Sequence, residues 1–452
     1  MKAKRTKRQQ AIIKRRIFLI CCTAVLIAAI AAISGIVVLI SRTFKNHPSN
    51  TMSDDPTSSS LSSQESKSPV KKSSATVLST GDIMVHSTQL DGAKTPDGYD
   101  FSAFFKNITE YVSKADLAVA NLEVTFGGEQ SGKYSGYPAF NTPDILADNI
   151  KSAGFDCLLT ANNHCYDTGL FGLKRTLSVL KERSLDYTGT RETANDPYYI
   201  VKNVNGIKIG MVCYTYENKN DVAGRKSING ALISTEANDL INTFSYEHID
   251  SFYTAAQTAV TEMKNDGADF VVFYMHWGEE YQLKQNTWQS TIAQKLCNMG
   301  VNMIIGGHPH VIQPVSLLHS EDSQNTAICL YSTGNAVSNQ RQELMSPECT
   351  TGHTEDGMLF TYTLDKYSDG SVVISSVDII PTWVNKYKGG SGYQYTVIPL
   401  DSPDDGAAKW GLSGTAAEKS KKSYERTKAT VGPGLTECQQ SVGCPVRFAE
   451  TQ

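Results

Sequence analysis

Charge is sparse in this 452-residue sequence: Asp, Glu, Lys and Arg make up 19% of it. With 40% apolar residues, 34 Gly and 15 Pro, that excludes a disordered, collagen-like or coiled-coil chain. Long apolar runs are lacking except for one, which excludes a multi-span membrane protein. Cysteine is also scarce, ten in all, and Cys21 and Cys22 lie inside that one run. Cys157, Cys213 and Cys329 fall in strand-like apolar stretches and Cys297 on a helix face, the pattern of buried small hydrophobes. No cysteine spacing fits a metal site or a disulfide framework. Cys438 and Cys444, with five residues between them, are the only pair that suggests a bridge. There is no Gly-x-x-x-x-Gly-Lys-Ser/Thr loop, so ATP-driven chemistry is unsupported. There is no Gly-x-Ser-x-Gly elbow either, which argues against a serine hydrolase of the α/β type.

What is present begins with an asymmetry. Residues 1–16 carry eight Lys/Arg and no acid; the remainder, with 34 basic and 46 acidic residues, carries −12. A body this acidic is not a nucleic-acid binder by bulk electrostatics. Residues 17–40 are 24 uncharged positions, enough for one membrane crossing, which takes about 20. The basic flank should remain cytoplasmic, leaving the rest of the chain outside. A cleaved signal peptide competes with this reading, but its apolar region is normally about 7–15 residues and ends at small residues. An uncleaved single-pass anchor in a bacterial cell membrane is therefore expected. Residues 41–75 follow as a linker; 11 of the 26 residues from 49 to 74 are Ser. Such a segment buries too little to offset its ordering entropy.

From residue 76 a unit recurs four times: a turn with Asp or Asn, a short apolar strand, then a polar cluster. Asp116 leads to Asn121-Leu122-Glu123, and Asp156 to Asn162-Asn163-His164. Asp269 leads to His276-Trp277, and Asn302 to His308-Pro309-His310. Helical faces ending at Gly154 and Gly300 precede two of them. This is the grammar of parallel strands covered by helices, where ligands bind beyond the carboxyl ends. Asn205-Gly206 between two apolar runs predicts a hairpin. The expected fold is a mixed two-sheet α/β core over 76–386. A C-terminal extension, 387–452, shows a helix signal near 415–428.

Taken singly, each polar cluster is weak, since a lone His at a strand end is usually a hydrogen-bonded surface residue. Together, carboxylates, an amide oxygen and imidazoles without a thiolate suit manganese, iron or zinc. Two ions bridged by a carboxylate would need about this many ligands. His308 and His310, two apart in an extended segment, would point the same way. His164 and Asp167, three apart, fit an imidazole–carboxylate pair that orients the ring for proton transfer. Asp167 could equally cap the following helix. Trp277, Glu280 and Tyr281 could wall a cleft or pack the loop.

The ordered segments GDIMVH (81–86), ADLAVANLE (115–123), ANNHCYDTG (161–169), HWGEEY (276–281), GGHPHVIQP (306–314) and YSTGN (331–335) resemble the CapA family of capsule-synthesis proteins, associated with poly-γ-glutamate. That family is similar in turn to calcineurin-like metallophosphoesterases, which implies a two-sheet α/β sandwich around a dinuclear metal site. Residue by residue, the resemblance implies Asp82, Glu123, Asn163, His276, His308 and His310 as ligands of one or two divalent ions. His164, oriented by Asp167, is then the proton donor to a leaving group; His86, Asn121, Trp277 and Tyr281 are further candidates. The chain departs from the relatives at Met84, where they carry His, and at Asn121-Leu122-Glu123, where they carry Gly-Asp-x-x-Asp. It departs again at Ala336, where Phe often follows Gly-Asn. The implied partners are the bacterial membrane, poly-γ-glutamate and capsule synthase subunits. Three functions stay open: a surface component of polymer synthesis or export, an extracellular phosphoesterase, and a non-catalytic polymer-binding scaffold.

Overall fold

The computed structural model describes residues 68–218, 225–390 and 392–448. The expected basic segment 1–16, the anchor 17–40 and most of the linker 41–75 lie outside the described residues. Among the described residues, no helix is long and apolar enough to cross a membrane.

Two sheets form the centre. The first begins with β1 (Lys71–Ile83), β2 (Leu117–Leu122), β3 (Cys157–Leu159) and β4 (Asp186–Thr188), each parallel to the last. The second holds β5 (Ile200–Val204), β6 (Ile207–Tyr216), β7 (Thr243–Phe244), β8 (Phe270–His276), β9 (Met303–Gly307), β10 (Val315–His319) and β11 (Thr326–Leu330). Their order is β7-β6-β8-β9-β11-β10, with β5 antiparallel to β6. The chain then returns to the first sheet as β12 (Asn335–Val337), β13 (Asp356–Tyr367), β14 (Val372–Gly389) and β15 (Gly392–Pro399). That sheet reads β15-β14-β13-β1-β2-β3-β4, with β12 beside the end of β1.

Alternation along the strands sorts side chains into layers, because successive residues face opposite sides of a sheet. Val77 and Val119 meet Met211, Val272 and Ile305 between the sheets. Their neighbours Leu78 and Ala118 face outward against Leu146 and Ile150 of α1 (Ile145–Ser152) and Leu180 of α2 (Gly169–Glu182). On the second sheet, Val212 and Phe273 meet Val260 of α3 (Ile249–Asn265) and Ile292 and Leu296 of α4 (Thr287–Asn298). The sequence spacing places Trp288 on one helical face with Ile292, Leu296 and Met299, but Trp288 is exposed beside Tyr246, because the buried stripe runs through Gln289, Ile292, Ala293 and Leu296.

The repeated Asp/Asn has a structural job. Asp116 accepts the Thr76 N–H through its carboxylate while its own N–H bonds the Thr76 carbonyl. Asp156 does the same to Ala118, Asp269 to Lys208 and Asn302 to Val271. Each clamps the entry of its strand to the neighbouring strand, so the register is set at the end of the sheet away from the polar clusters. The Asn205-Gly206 hairpin forms as expected, both residues having positive φ (53° and 83°).

The C-terminal extension belongs to the core. It completes β14, adds β15, and ends in α5 (Gly414–Val442), longer than the expected helix near 415–428. α5 packs on β14 and β10, and Val431, Leu435 and Cys438 join the layer between the sheets. Cys438 and Cys444 carry free thiols, so the suggested bridge is not formed: Cys438 packs in the core while Cys444 Sγ contacts the Val377 carbonyl. Arg426 of α5 holds the buried Asp356 with two bonds of 2.6 Å. Removing one partner of a buried pair leaves an uncompensated charge, at a cost of about 3–5 kcal/mol. Arg426→Ala should therefore lower unfolding free energy by about that much, read from the urea midpoint at constant slope; a loss below about 1 kcal/mol, as for an exposed pair, would contradict it.

Candidate metal centre

The polar clusters meet where the parallel strands end. Asp82 sits at the end of β1, just past a change of partner. At Gly81 a side chain is impossible, since a Cβ there would lie 1.8 Å from the Gly334 carbonyl oxygen. That close approach lets Asp82 N–H bond Gly334 and pairs Asp82 with Asn335 of β12. Across the cleft between the sheets, Gly307 leaves room for the Asp82 carboxylate, which would be 2.8 Å from any Cβ. Glu123 follows β2, Asn163 and His164 follow β3, His276 ends β8, and His308 and His310 follow β9.

Six of the expected residues converge. Asp82, Glu123, Asn163, His276, His308 and His310 are all buried. Donor atoms of Asp82, Glu123 and His276 lie within 4.8 Å of one another, and so do those of Glu123, His308 and His310. Glu123 is common to both groups. Its Oε1 lies 3.6 Å from His276 Nε2 and 3.7 Å from His310 Nε2, and Asn163 Oδ1 reaches the same His276 nitrogen at 2.8 Å. His310 Nδ1 faces Asp82 Oδ2 and Asn335 Oδ1, both at 3.2 Å. His308 and His310 do not lie in the expected extended segment. Their φ angles are 93° and 55°, in the left-handed region, which is costly for residues with a Cβ and accumulates at functional sites. The turn nonetheless brings the rings to 5.9 Å, with His276 4.9 Å from His308.

The electrostatics favour a cation. Burial and the adjacent Asp82 push the Glu123 carboxyl well above the usual carboxylate range. Burial and the neighbouring imidazoles push His276 and His308 well below 6.5, so both rings are neutral and can offer a lone pair near pH 7. Among the described residues, two buried polar atoms of this cluster, Glu123 Oε1 and His308 Nδ1, have no hydrogen-bond partner. Buried polar atoms are normally satisfied; two orphaned donors of metal-ligand type, aimed into one cluster, fit a divalent ion.

His164 stands beside this group. Its Nδ1 is 2.8 Å from Asp167 Oδ2, which also accepts the Phe140 N–H at 2.7 Å. Phe140 meets the imidazole edge-on at 4.7 Å. Asp167 is thus a ring-orienting group rather than a helix cap; Thr168 occupies the N-cap of α2. The remaining candidates separate. Asn121 holds the carboxylates in place: its amide donates to Asp82 Oδ1 (2.7 Å) and Glu123 Oε2 (3.2 Å), while its oxygen accepts from Asn162. His86 is not drawn into either group; its Nδ1 faces the Asn339 N–H and Gln89 Oε1. Trp277 packs the loop rather than walling a cleft, fully buried, stacked on Tyr331 and donating to its carbonyl at 2.9 Å. Tyr281 stays at the mouth, half-buried, 6.2 Å from His310. Asn162 and Asn335 are missed as site residues from sequence alone. Both lie inside the ANNH and STGN segments, where the commonness of Asn in turns hides their role.

The sequence profile of the bacterial capsule synthesis protein PGA_cap matches residues 76–340, more than half of the chain. The capsule biosynthesis protein CapA of Bacillus anthracis is 30% identical over 285 residues, which cover 61% of this chain and 63% of that protein. The PGA biosynthesis protein CapA of Bacillus subtilis (strain 168) is 28% identical over 251 residues, 55% of this chain and 57% of that one. The matched stretch thus spans less than two thirds of either relative. Among solved structures, the NAD nucleotidase NadN of Haemophilus influenzae is similar at 12% identity with a TM-score of 0.42, covering 79% of this chain and 56% of that chain.

His308 yields a pH prediction for chelator-treated protein. Its folded pKa lies below the unfolded value of about 6.5, so its contribution to stability is full above about 6.5 and lost as pH falls. Glu123, shifted upward, slopes the opposite way, but it is common to wild type and variant. The melting temperature of wild type should therefore drop more steeply than that of His308→Gln between about pH 7 and pH 5. Parallel curves would contradict a neutral, buried His308.

Proposed function

From the chain's membership of the bacterial capsule synthesis protein family, we propose that it works at the outer face of a bacterial membrane, in the synthesis or export of capsular poly-γ-glutamate, with a divalent-metal site of hydrolase type. Residues 17–40 would anchor it and the Ser-rich linker would hold the folded part off the membrane. The observation that carries the hydrolase reading is the sharing of Glu123 by two buried donor groups, with an oriented imidazole beside them.

One ion would be held by Asp82, Glu123 and His276 with Asn163, and a second by Glu123, His308 and His310. When bound, such ions supply Lewis acidity and a hydroxide nucleophile near neutral pH. The protein's own groups do the rest. Asn121 keeps the two carboxylates from turning away from the centre. Asp167 fixes Nδ1 of His164, which leaves Nε2 as the atom to carry a proton to a departing group. Phe140 and the chain around it shut water away from one side of that ring.

Metal binding tests the ligand assignment directly. By elemental analysis and calorimetry of purified protein, Glu123→Gln should lose both ions, His276→Ala one and His308→Ala the other. Stoichiometry unchanged in Glu123→Gln would remove the shared-ligand reading. The catalytic assignment is tested by His164→Ala on a γ-glutamyl polymer and on a phosphodiester in parallel. A general acid contributes about 10²–10⁴ in rate, so turnover should fall by that factor with metal content intact. A substrate whose leaving group departs unprotonated should recover most of the rate. Activity only on the phosphodiester would assign the site to phosphoester chemistry, and loss of metal with His164 would make it a ligand.

A further inference from the structure

Apart from the metal centre, two cations stand in the wall of a second cavity. It encloses about 280 Å³ and is lined by Arg191, Lys226, Tyr198, Tyr214, Asn242 and Thr243 among others. Arg191 follows the end of β4; Lys226 opens a short hairpin. Arg191 Nε donates to the Asp239 carbonyl at 2.6 Å and Nη1 to Asn242 Oδ1 at 3.0 Å, with the guanidinium 5.8 Å from the Tyr198 ring. Lys226 Nζ donates to the Asn238 carbonyl at 2.9 Å. Every one of these acceptors is neutral. Asp239 at the rim acts on both cations, Asp196 on Arg191 and Glu217 on Lys226, only at longer range. Burial lowers the pKa of both cations, the direction expected where positive charge is desolvated without a carboxylate in contact. Both side chains are only partly exposed, and a cation drawn out of water without a charged partner in contact is costly. An arginine has five N–H donors and a lysine three; among the described residues, Arg191 Nη2 and two Lys226 protons meet no acceptor and remain for a ligand in the cavity.

We propose that this cavity is an anion subsite holding a side-chain carboxylate of an acidic polymer, with Arg191 and Lys226 as its charge partners. The hairpin connects it to the centre. Asn229 at the hairpin tip places its amide 3.5 Å from His164 Nδ1, and it lies three positions after Lys226, a span of at most about 11 Å. A chain with a carboxylate on every unit can therefore be gripped at Lys226 while another of its units lies beside His164. Arginine's planar fork matches the two oxygens of a carboxylate, and lysine adds a point charge. The identity of the polymer, a γ-glutamyl chain, rests on the function proposed above; the subsite itself rests on the cavity and its cations.

The test is binding of a short fluorescent γ-linked glutamate oligomer to the chelator-treated full chain in detergent, with inorganic phosphate as a second probe. Wild type should bind the oligomer, more weakly as salt rises. Lys226→Met should weaken binding about tenfold or more, while Lys226→Arg keeps most of it and both variants keep the wild-type melting temperature and metal stoichiometry. Glu123→Gln, which disables the centre, should bind the oligomer like wild type. Its retention alongside a wild type inactive on γ-glutamyl polymer would leave the subsite standing and the proposed activity fallen. Equal affinity in Lys226→Met and wild type would overturn the subsite, and so would binding of phosphate in place of the oligomer.

Discussion

Two carboxylates, Asp82 and Glu123, are held inside the protein with one amide between them, and the rest of the centre follows from that arrangement. Burial first, and then the repulsion between like charges this close, makes the Glu123 carboxyl hold its proton far more tightly than usual. The fold tolerates the strain because Asn121 donates to both acids and is itself pinned by Asn162, which also bonds the Leu122 carbonyl. Around them His276 and His308 are kept neutral by burial, which leaves the cluster rich in lone pairs. A divalent cation resolves both conditions at once.

The two ends of each parallel strand divide the labour. At the entry, Asp116, Asp156, Asp269 and Asn302 lock each strand to its neighbour through paired backbone and side-chain bonds. At the exit, strand ends deliver the polar clusters to one rim. Because register is fixed from the far end, the exit loops are free to take unusual shapes, including the left-handed turn at His308 and His310.

Much of this was legible in the sequence because it is local. The turn–strand–cluster unit occupies about a dozen residues, and its repetition marked both the parallel strands and the rim where their ends meet. The His164–Asp167 pair could be seen because its members lie three positions apart. What could not be seen depends on contacts between distant segments. That Asn121 bridges the acids rather than joining the ligands, or that His86 turns toward Asn339, is decided by residues tens to hundreds of positions away. Whether Trp277 walls a cleft or packs the loop is equally undecided by its place after His276; strand alternation sends it to the outer face of the second sheet, against Tyr331. The C-terminal extension was opaque for a related reason: its helix carries many polar residues, and its buried face is defined by the sheet it covers.

The position of β1 bears on the order in which the molecule can form. It is the first strand of the folded part, yet one of its edges is filled by β13, with Lys71 opposite Tyr367, and the end that carries Asp82 is closed by β12. Pairings between segments so distant in the chain close the largest loops and form slowly. A chain that emerges N-terminus first, from a ribosome or across a membrane, therefore holds β1 with an open edge until most of its length has followed. During that interval Asp82 has neither Asn335 nor the turn beyond β9 to face. The centre is assembled only near the end of synthesis or passage, so shortened chains lacking the last strands carry its residues but not its geometry.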